Sequence, residues 1–191
     1  MLNYIILGML YNCKLTGYDL KKHIENGVGV FYKASYGSIY PALKRLSEND
    51  QVAILETQQG ARQKKLYEIT PKGQQAFLKW LGEPINLDDG NGKGNQNHLA
   101  RVYFFDVLPP EVVEQQLYEY EVNNTNYLRR LLALEQLYDS SENQENHYYK
   151  LSTLYYGIAI LRETIRWCRH VREKRSFHEF INGGDINERS N

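Results

Sequence analysis

The stretch Ser35-Tyr-Gly-Ser-Ile-Tyr-Pro-Ala-Leu-Lys-Arg-Leu46 carries a helix start, an apolar face and a polar face within one short segment. Ser38 is a suitable N-cap, and Pro41 then falls in the first turn, where a missing backbone N–H costs little. Tyr40 and Lys44 share a polar face at helical spacing. The opposite face is apolar and comprises Ile39, Leu43 and Leu46. The sequence therefore predicts a short amphipathic helix that starts near Ser38.

Two further short helices are predicted before this segment. Apolar residues recur at helical spacing from Leu2 to Leu10, and a second amphipathic run follows Thr16, which is a suitable N-cap. A fourth helix is predicted after Thr70-Pro71, because a threonine N-cap followed by proline at the first helical position is a typical helix start. The pattern up to about residue 84 is therefore mainly helical.

A β-hairpin is predicted between the third and fourth helices. Residues 52–57 and 65–70 are rich in β-forming side chains, and Gly60 lies in the segment between them as the expected turn residue. Three helices followed by a hairpin are typical of winged helix-turn-helix domains, whose recognition helix enters the major groove of DNA. The predicted fold is mainly α with a small β-hairpin: an N-terminal winged helix-turn-helix and a C-terminal antiparallel, coiled-coil-like helical dimerisation domain.

The residue types on the third helix and the hairpin suit contacts with double-stranded DNA. Hydroxyl groups cluster at the helix start, where free backbone N–H groups also favour phosphate. Basic side chains follow within two turns and again at the hairpin, where they can neutralise phosphates. The candidate DNA-binding residues are Ser35, Tyr36, Ser38, Tyr40, Lys44, Arg45, Arg62, Lys64 and Lys65.

Each of these signals also has an ordinary structural interpretation. Tyr36 and Tyr40 could pack against neighbouring helices, and the basic residues of the hairpin could form a solvated turn. Helix-turn-helix units also serve as protein-interaction modules. The combination of a capped helix with a basic hairpin, more than any single residue, favours DNA binding.

The charge of the chain is divided unevenly along its length. The net charge is zero, but residues 1–81 hold 11 Lys and Arg against 6 Asp and Glu, and residues 82–191 hold 12 against 17. Only the basic half has to face a polyanion, so this division is compatible with nucleic acid as a partner. A surplus of this size could also arise by chance on a solvated surface.

Catalytic, metal and membrane functions are disfavoured by the sequence. Cys13 and Cys168 lie far apart without a metal-ligand spacing, and the five histidines do not pair with acidic residues as a zinc protease motif would. We therefore expect no catalytic residues, no metal and no cofactor. No apolar run reaches the roughly 18 residues that cross a bilayer. The expected compartment is the cytoplasm, and RNA binding is disfavoured because the usual aromatic platform on a sheet is missing.

The C-terminal half is predicted to be helical and to form the dimer. The expected domains are residues 1–84 for DNA binding, 85–98 as a linker, 99–182 for dimerisation and a possible effector, and 183–191 as a disordered tail. The last long helix carries apolar residues at steps of three and four, which indicate a coiled-coil-type seam. The candidate dimerisation residues are Leu151, Leu154, Ile158, Leu161, Ile165 and Cys168.

A second copy of the chain is the expected cover for this seam, because one helical partner in the same chain leaves apolar surface open. The alternative is that these helices fold back on the N-terminal domain. The chain also contains 16 tyrosines, many of them in the C-terminal half. Tyrosine suits both an aromatic effector and a wet dimer interface, so no effector-binding residue is assigned.

Many spaced positions of the chain follow one recognisable pattern. They are Ile6-Leu7-Gly8, Leu10, Thr16-Gly17-Tyr18-Asp19-Leu20, Ile24, residues 35–46, Gly60, Arg62, Lys65, Tyr67, Ile69-Thr70, Gly73 and, more weakly, residues 101–106 and 110–111. In these positions the chain resembles the PadR family of bacterial transcriptional regulators, in its long form with a helical C-terminal domain. Two departures from the family pattern are the threonine at position 16 and the turn without a proline beside its arginine.

This resemblance implies a homodimer that binds a pseudo-palindromic operator in double-stranded DNA. It also implies a response to a small hydrophobic or phenolic effector. Repression is the expected direction of control, because a dimer across a promoter blocks polymerase without further contacts, and activation is the alternative within the family. A winged-helix adaptor that acts through a protein partner remains the alternative function.

Overall fold

The computed structural model describes residues 1–30, 32, 35–59, 62–85, 94–139, 148–174 and 180–181. The chain divides into two compact units, one of Met1–Glu83 with Asp88–Pro109 and one of Pro84–Leu87 with Pro110–Asn191. The described residues are mostly helical and include one small antiparallel sheet, which confirms the predicted fold class. The predicted tail, 183–191, lies outside the described residues.

The first unit has a core of four helices, α1 (Leu2–Met9), α2 (Gly17–Asn26), α3 (Tyr36–Glu48) and α4 (Pro71–Gly82). The apolar residues that recur at helical spacing point inward, and the three predicted for the buried face of α3 are at most 1% exposed. The core side chains include Ile5, Ile6, Leu7, Leu20, Ile24, Ile39, Leu43, Leu46, Phe77 and Leu81.

The sheet has three strands, β1 (Leu15–Thr16), β2 (Val52–Gln59) and β3 (Arg62–Ile69), in the order β1-β3-β2. All neighbours are antiparallel, and the pairing of β2 with β3 continues to the pair Gln59 and Arg62. Both hairpin strands are therefore longer than predicted, since cross-strand pairing extends into a polar sequence without β-rich character. Gly60, the predicted turn residue, lies outside the described residues.

Two predicted helix caps are confirmed. The Thr16 hydroxyl accepts a hydrogen bond from the Asp19 N–H at 3.2 Å, and Thr70 does the same for the Gly73 N–H at 3.1 Å. Each cap satisfies a backbone donor that the first turn of a helix leaves unpaired. Pro71 then occupies the first position of α4, as predicted.

Helix α3 begins earlier than predicted. Its N-cap is Ser35, and the Ser38 hydroxyl accepts a hydrogen bond from the Ser35 N–H at 3.0 Å from within the first turn. Pro41 consequently lies inside the helix and not in its first turn, so it removes a hydrogen bond that a helix interior would otherwise make. A serine at either position fits the pattern of a helix start, which is why spacing alone did not separate them.

A further helix, α5 (Gly94–Val102), and a 3-10 turn at Phe105–Val107 complete the first unit. Helix α5 occupies the end of the segment 85–98 that was expected to be a linker, and residues 86–93 lie outside the described part. The Phe104 ring packs edge-on against Phe77 with centroids 5.5 Å apart. A β-carbon on Gly8 would lie 2.7 Å from the Phe104 ring, so α1 accepts this ring only because it carries glycine there.

Arg101 ties α5 to the end of α4. Its buried guanidinium donates hydrogen bonds to the carbonyl oxygens of Trp80 at 2.6 Å, Leu81 at 3.2 Å and Glu83. The last carbonyl groups of a helix have no partners within the helix, and a cation at that end is also favoured by the helix dipole. Burial lowers the pKa of Arg101, and the nearby Glu83 opposes that effect.

The second unit is an antiparallel hairpin of two long helices, α6 (Pro110–Asp139) and α7 (Tyr148–Arg172). Ile158, Leu161, Ile165 and Cys168 of α7 are buried, as is Leu117 of α6. The helices approach closely where Gly157 faces Leu131, because a β-carbon on Gly157 would lie 3.2 Å from the leucine. The two long helices predicted for this half of the chain are confirmed.

Candidate nucleic-acid interface

The face of α3 opposite the core is open to solvent and carries two of the predicted DNA-binding residues. Tyr40 is 48% exposed, and the Lys44 side chain is 79% exposed. Lys44 lies 3.8 Å from Glu48 in an exposed pair one turn apart, and pairs of this kind contribute little stability. The ammonium group can therefore leave Glu48 for a phosphate or a base edge.

The start of α3 uses its serine hydroxyls for local structure. Ser38 donates a hydrogen bond to the Ser35 carbonyl at 2.9 Å and accepts one from the Ser35 N–H. Ser35 is exposed, and the nearest atom that a β-carbon on Gly37 would meet in the described part of the chain is the Ser35 hydroxyl, at 3.7 Å. The helix start is thus accessible from outside. The side chain of Tyr36 lies outside the described part of the structure.

Arg45 lies on another flank of α3. It borders a hollow of about 340 Å³ beside the start of α1. Tyr40 and Arg45 are five residues apart, and at about 100° per residue they point roughly 140° away from each other around the helix. The structure does not bring Arg45 into the surface that Tyr40 shares with the hairpin. The hollow is lined by Met1, Leu2, Asn3, Tyr4, Leu7, Arg45 and Gln51.

A groove of about 620 Å³ separates α3 from strand β3. It brings together three elements: the first turn of α2, the exposed face of α3 and the hairpin. Lys64 and Lys65, both exposed, belong to its border, whereas the side chain of Arg62 lies outside the described part. We call this surface the reading groove, and it is lined by Thr16, Gly17, Tyr18, Asp19, Tyr40, Lys64, Lys65 and Tyr67.

Several groove residues were not predicted as site residues. Gly17, Tyr18 and Tyr67 reach the groove because β1 pairs with β3, which places the start of α2 beside the hairpin. A strand of two residues leaves no recognisable pattern in a sequence. Tyr18 is 62% exposed, so it adds a second accessible phenol to the groove beside Tyr40.

Two titratable groups of the reading groove are shifted by their surroundings. The pKa of Asp19 is lowered, first because its carboxylate accepts a 2.6 Å hydrogen bond from the Thr16 hydroxyl and further by the charges of His23 and Lys64. Burial raises the pKa of Tyr67, and the neighbouring Tyr40 adds to that effect. Asp19 therefore stays ionised near neutral pH and is held at the helix start, where it satisfies the cap.

The comparison with known families covers both halves of the chain. The transcriptional regulator PadR-like family matches residues 6–79, which contain α3, the hairpin and the whole reading groove. Residues 6–79 of the chain therefore form a PadR-like domain. A second family, the virulence activator alpha C-terminal domain, matches residues 96–175, as expected for the long form.

Individual proteins that are similar in sequence to this chain are also named as transcriptional regulators. The negative transcriptional regulator PadR of Bacillus subtilis is 37% identical over 82 residues, which are 42% of this chain and 45% of that protein. The chain spans about half the length of the curated relatives it matches. Their names describe transcriptional regulators and not enzymes, in agreement with the prediction.

Solved structures of Bacillus subtilis PadR are also similar to this chain. The complex with operator DNA shares 23% identity and a TM-score of 0.43 over 90% of this chain and 98% of that one. The complex with p-coumaric acid shares 21% identity and a TM-score of 0.40 over 90% and 93%.

The six predicted dimerisation residues of this PadR-like chain lie on the α7 side of the α6–α7 hairpin. Ile158, Leu161, Ile165 and Cys168 are between 0% and 7% exposed in the single chain, because α6 already covers them. Leu151 and Leu154 are only half-buried. The buried four therefore stabilise the α6–α7 hairpin itself, and their role in a contact between copies stays a prediction.

A network of charged side chains joins α6 to the last turns of α7. Glu121 accepts hydrogen bonds from Arg169 at 2.6 Å and from Arg172 at 2.6 Å, and Arg172 also binds Glu114 at 2.8 Å. Burial, with the charge of Glu121, raises the pKa of the adjacent Cys168 thiol to about 12. Cys168 is therefore a neutral core residue at physiological pH.

Neither a metal-binding cluster nor a membrane-spanning helix is found among the described residues of this PadR-like chain. No group of three or more His, Cys, Asp or Glu side chains there is arranged to hold a metal ion. None of the helices described is both long enough and apolar enough to span a bilayer.

Proposed function

We propose that this PadR-like chain is a DNA-binding regulator of transcription that reads double-stranded DNA with α3 and the hairpin. The observation that supports this proposal most strongly is the reading groove. It sets the exposed Tyr40 face of α3 beside two exposed lysines of β3, in the part of the chain that holds the surplus of basic residues. The major groove of B-DNA is wide enough for one α-helix.

In this proposal the two elements have different tasks. Tyr40 and Lys44 approach base edges from α3, while Lys64 and Lys65 contact the phosphate backbone beside the recognition helix. Base contacts specify the sequence, whereas phosphate contacts set position and supply affinity that depends on salt. Arg45 lies on another flank of α3. We propose that it contacts DNA only where the DNA backbone curves around the start of α1.

We further propose that the active form is a homodimer in which the helical hairpin of α6 and α7 contacts its counterpart in a second copy. Within the described residues, none of 127–138 and 148–157 is buried, although these segments are rich in leucine and tyrosine. Burial of such side chains between two copies would be stabilising. The large exposed side chains of this surface, the distal face, are Tyr127, Leu134, Leu137, Tyr148, Tyr149, Tyr155 and Tyr156.

Repression in the cytoplasm and release by a small phenolic compound complete the proposal. Repression is supported by the name of the Bacillus subtilis relative, a negative regulator. A phenolic or hydrophobic effector is supported by the family resemblance and by the tyrosine-rich surface of the hairpin. No residue is assigned to the effector.

A fluorescence anisotropy titration tests DNA binding. The chain is titrated against a labelled duplex from its own promoter region and against a random duplex of equal length, at one stated salt concentration. We expect the promoter duplex to bind at least about 1,000-fold more tightly, which is the lower end of the range of specific regulators. Equal affinity for both duplexes would overturn the proposal.

The complex of the chain with its promoter duplex also tests whether a phenolic effector releases DNA. Addition of p-coumaric acid, the compound present in one PadR complex, is expected to release the promoter duplex at concentrations that leave benzoic acid without effect. Binding to DNA that no phenolic compound changes, together with capture of a protein partner on that DNA, would favour the winged-helix adaptor instead.

A further inference from the structure

Gly17 and Tyr40 make an unusually close contact in the reading groove. Gly17 is the first residue of α2 and is buried, and Tyr40 crosses it from α3. A β-carbon on Gly17 would lie 2.8 Å from Cε1 and from Oη of Tyr40, and 2.9 Å from Cζ. The far end of the Tyr40 ring therefore rests on the backbone at the start of α2.

The backbone of Gly17 does not itself require glycine, because its φ angle is outside the left-handed region. The three nearest neighbours of an added methyl group are all atoms at the end of one partly exposed side chain, that of Tyr40. Such a side chain can turn aside, whereas backbone cannot. Alanine is also the better helix former, so a methyl group here would move Tyr40 and leave α2 in place.

Gly73 shows the contrasting situation in the same unit. A β-carbon there would lie 2.1 Å from the carbonyl oxygen of Gln51, which is backbone. Glycine at position 73 is therefore needed for the fold itself. Gly82 is the contrasting case, because a β-carbon there would have no neighbour within 4 Å among the residues that the structure describes.

We propose that Gly17 is a positioning residue for DNA reading: by lacking a side chain, it sets where the Tyr40 ring stands in the reading groove. This inference rests on the proposed function. It assigns sequence discrimination to a residue that need not touch DNA itself. Substitution at Gly17 changes specificity through Tyr40 and not through stability.

A double-mutant cycle tests this coupling in the full-length chain. Wild type, Gly17→Ala, Tyr40→Ala and the double variant are titrated against the promoter duplex and the random duplex. We expect Gly17→Ala to weaken promoter binding on the order of tenfold when Tyr40 is present. It should change that affinity less than twofold when Tyr40 is absent, and leave random DNA unaffected. Equal losses in both backgrounds, or no loss in either, would overturn the proposal.

Two control variants and one spectroscopic measurement separate positioning from folding. Gly82→Ala should alter neither DNA binding nor the melting temperature, whereas Gly73→Ala should lower the melting temperature. Gly17→Ala should not lower it. With 3-fluorotyrosine incorporated, Gly17→Ala should shift the fluorine signal of Tyr40, which a Tyr40→Phe variant identifies.

These readouts distinguish the two proposals. An unshifted Tyr40 signal would overturn the positioning role even if the chain binds its promoter. A shifted signal in a chain that does not prefer its promoter would overturn the proposed function, and with it the reading role of Tyr40.

Discussion

Lys64 and Tyr40 border the same groove but should contribute to binding in different ways. Lys64→Ala removes a charge from the hairpin, so affinity should fall for every duplex, and the log–log dependence on salt should flatten by about 0.9. Tyr40→Ala should weaken promoter binding and leave random DNA and the salt slope unchanged. Titrations at several salt concentrations measure both quantities.

Lys79→Ala is the matched control for this comparison, because Lys79 is an exposed lysine of α4 outside the reading groove. It should leave both affinities and the salt slope close to wild type. If Lys64→Ala reduced only promoter binding, or Tyr40→Ala reduced both equally, the division of tasks between hairpin and helix would be wrong.

The lowered pKa of Asp19 predicts a pH dependence of stability. A carboxyl group with a depressed pKa in the folded state contributes stability above its unfolded pKa, about 3.9, and loses it as pH falls through the folded value. Asp19→Asn should therefore destabilise the chain at neutral pH, by an amount that shrinks below about pH 4. Urea unfolding from pH 3 to pH 7 measures this difference.

Thr16→Val provides the control for that experiment, since the Thr16 hydroxyl is the main cause of the shift. Asp19→Asn should have a smaller pH-dependent effect in the Thr16→Val background than in wild type. A pH dependence that is the same in both backgrounds would place its origin elsewhere in the chain.

At the scale of elements, the packing of Phe104, which follows α5, against α1 depends on the absence of a side chain at Gly8. Gly8→Ala would place a methyl group within 2.8 Å of ring atoms of Phe104 and Phe77 in the core. Overpacking of this kind costs about 1–3 kcal/mol. The measurement is the free energy of unfolding, and Gly82→Ala should leave it unchanged.

A second substitution that removes atoms near position 8 tests whether steric overlap causes the loss of stability in Gly8→Ala. Phe104→Leu removes ring atoms that the new methyl group meets, so Gly8→Ala should cost less in a Phe104→Leu background than alone. Additive losses would show that the two residues do not compete for the same space.

The elements predicted correctly are those with local signals. The apolar spacing of α3, the caps at Thr16 and Thr70 and the two long C-terminal helices can be identified within a few turns of sequence. Features that depend on distant residues could not be predicted this way. The pairing of β1 with β3 and the contact of Gly17 with Tyr40 exist only once the chain has folded.

The candidate site residues also include features that the sequence predicts and features that depend on the folded structure. Residue type and position predict Tyr40, Lys44, Lys64 and Lys65, and the structure places Tyr40, Lys64 and Lys65 around the reading groove, with Lys44 one turn along α3 from Tyr40. Arg45 has the same chemistry and follows Lys44 directly, yet helical geometry turns it to another flank. Residue type predicts which side chains can bind DNA, whereas the face on which each lies follows from the packing of α3.

At the scale of the whole molecule, the distal face should control the oligomeric state. Tyr156→Glu would place a charge in the proposed contact between copies and should convert the dimer to a monomer, because burying an unpaired charge is costly. Light scattering after size-exclusion chromatography measures the mass. The matched control is Tyr18→Glu, which adds the same charge at an exposed tyrosine of the first unit.

Tyr18→Glu should remain a dimer. If the wild-type chain is a monomer at micromolar concentration, or if both variants stay dimeric, the distal face is not the contact between copies. A dimer that dissociates only after substitution of Leu161 or Ile165 would point to the seam that α6 covers in the single chain.

The central claim is that this chain selects DNA sequences as a dimer through α3, and capture of genomic fragments by the purified protein tests it most directly. Wild type should enrich a few fragments that share an inverted repeat with half-sites about one helical turn apart, near 34–36 Å. Tyr40→Ala should lose that enrichment while retaining weak binding to all fragments. Enrichment of no shared sequence, or the same sites with Tyr40→Ala as with wild type, would contradict the claim.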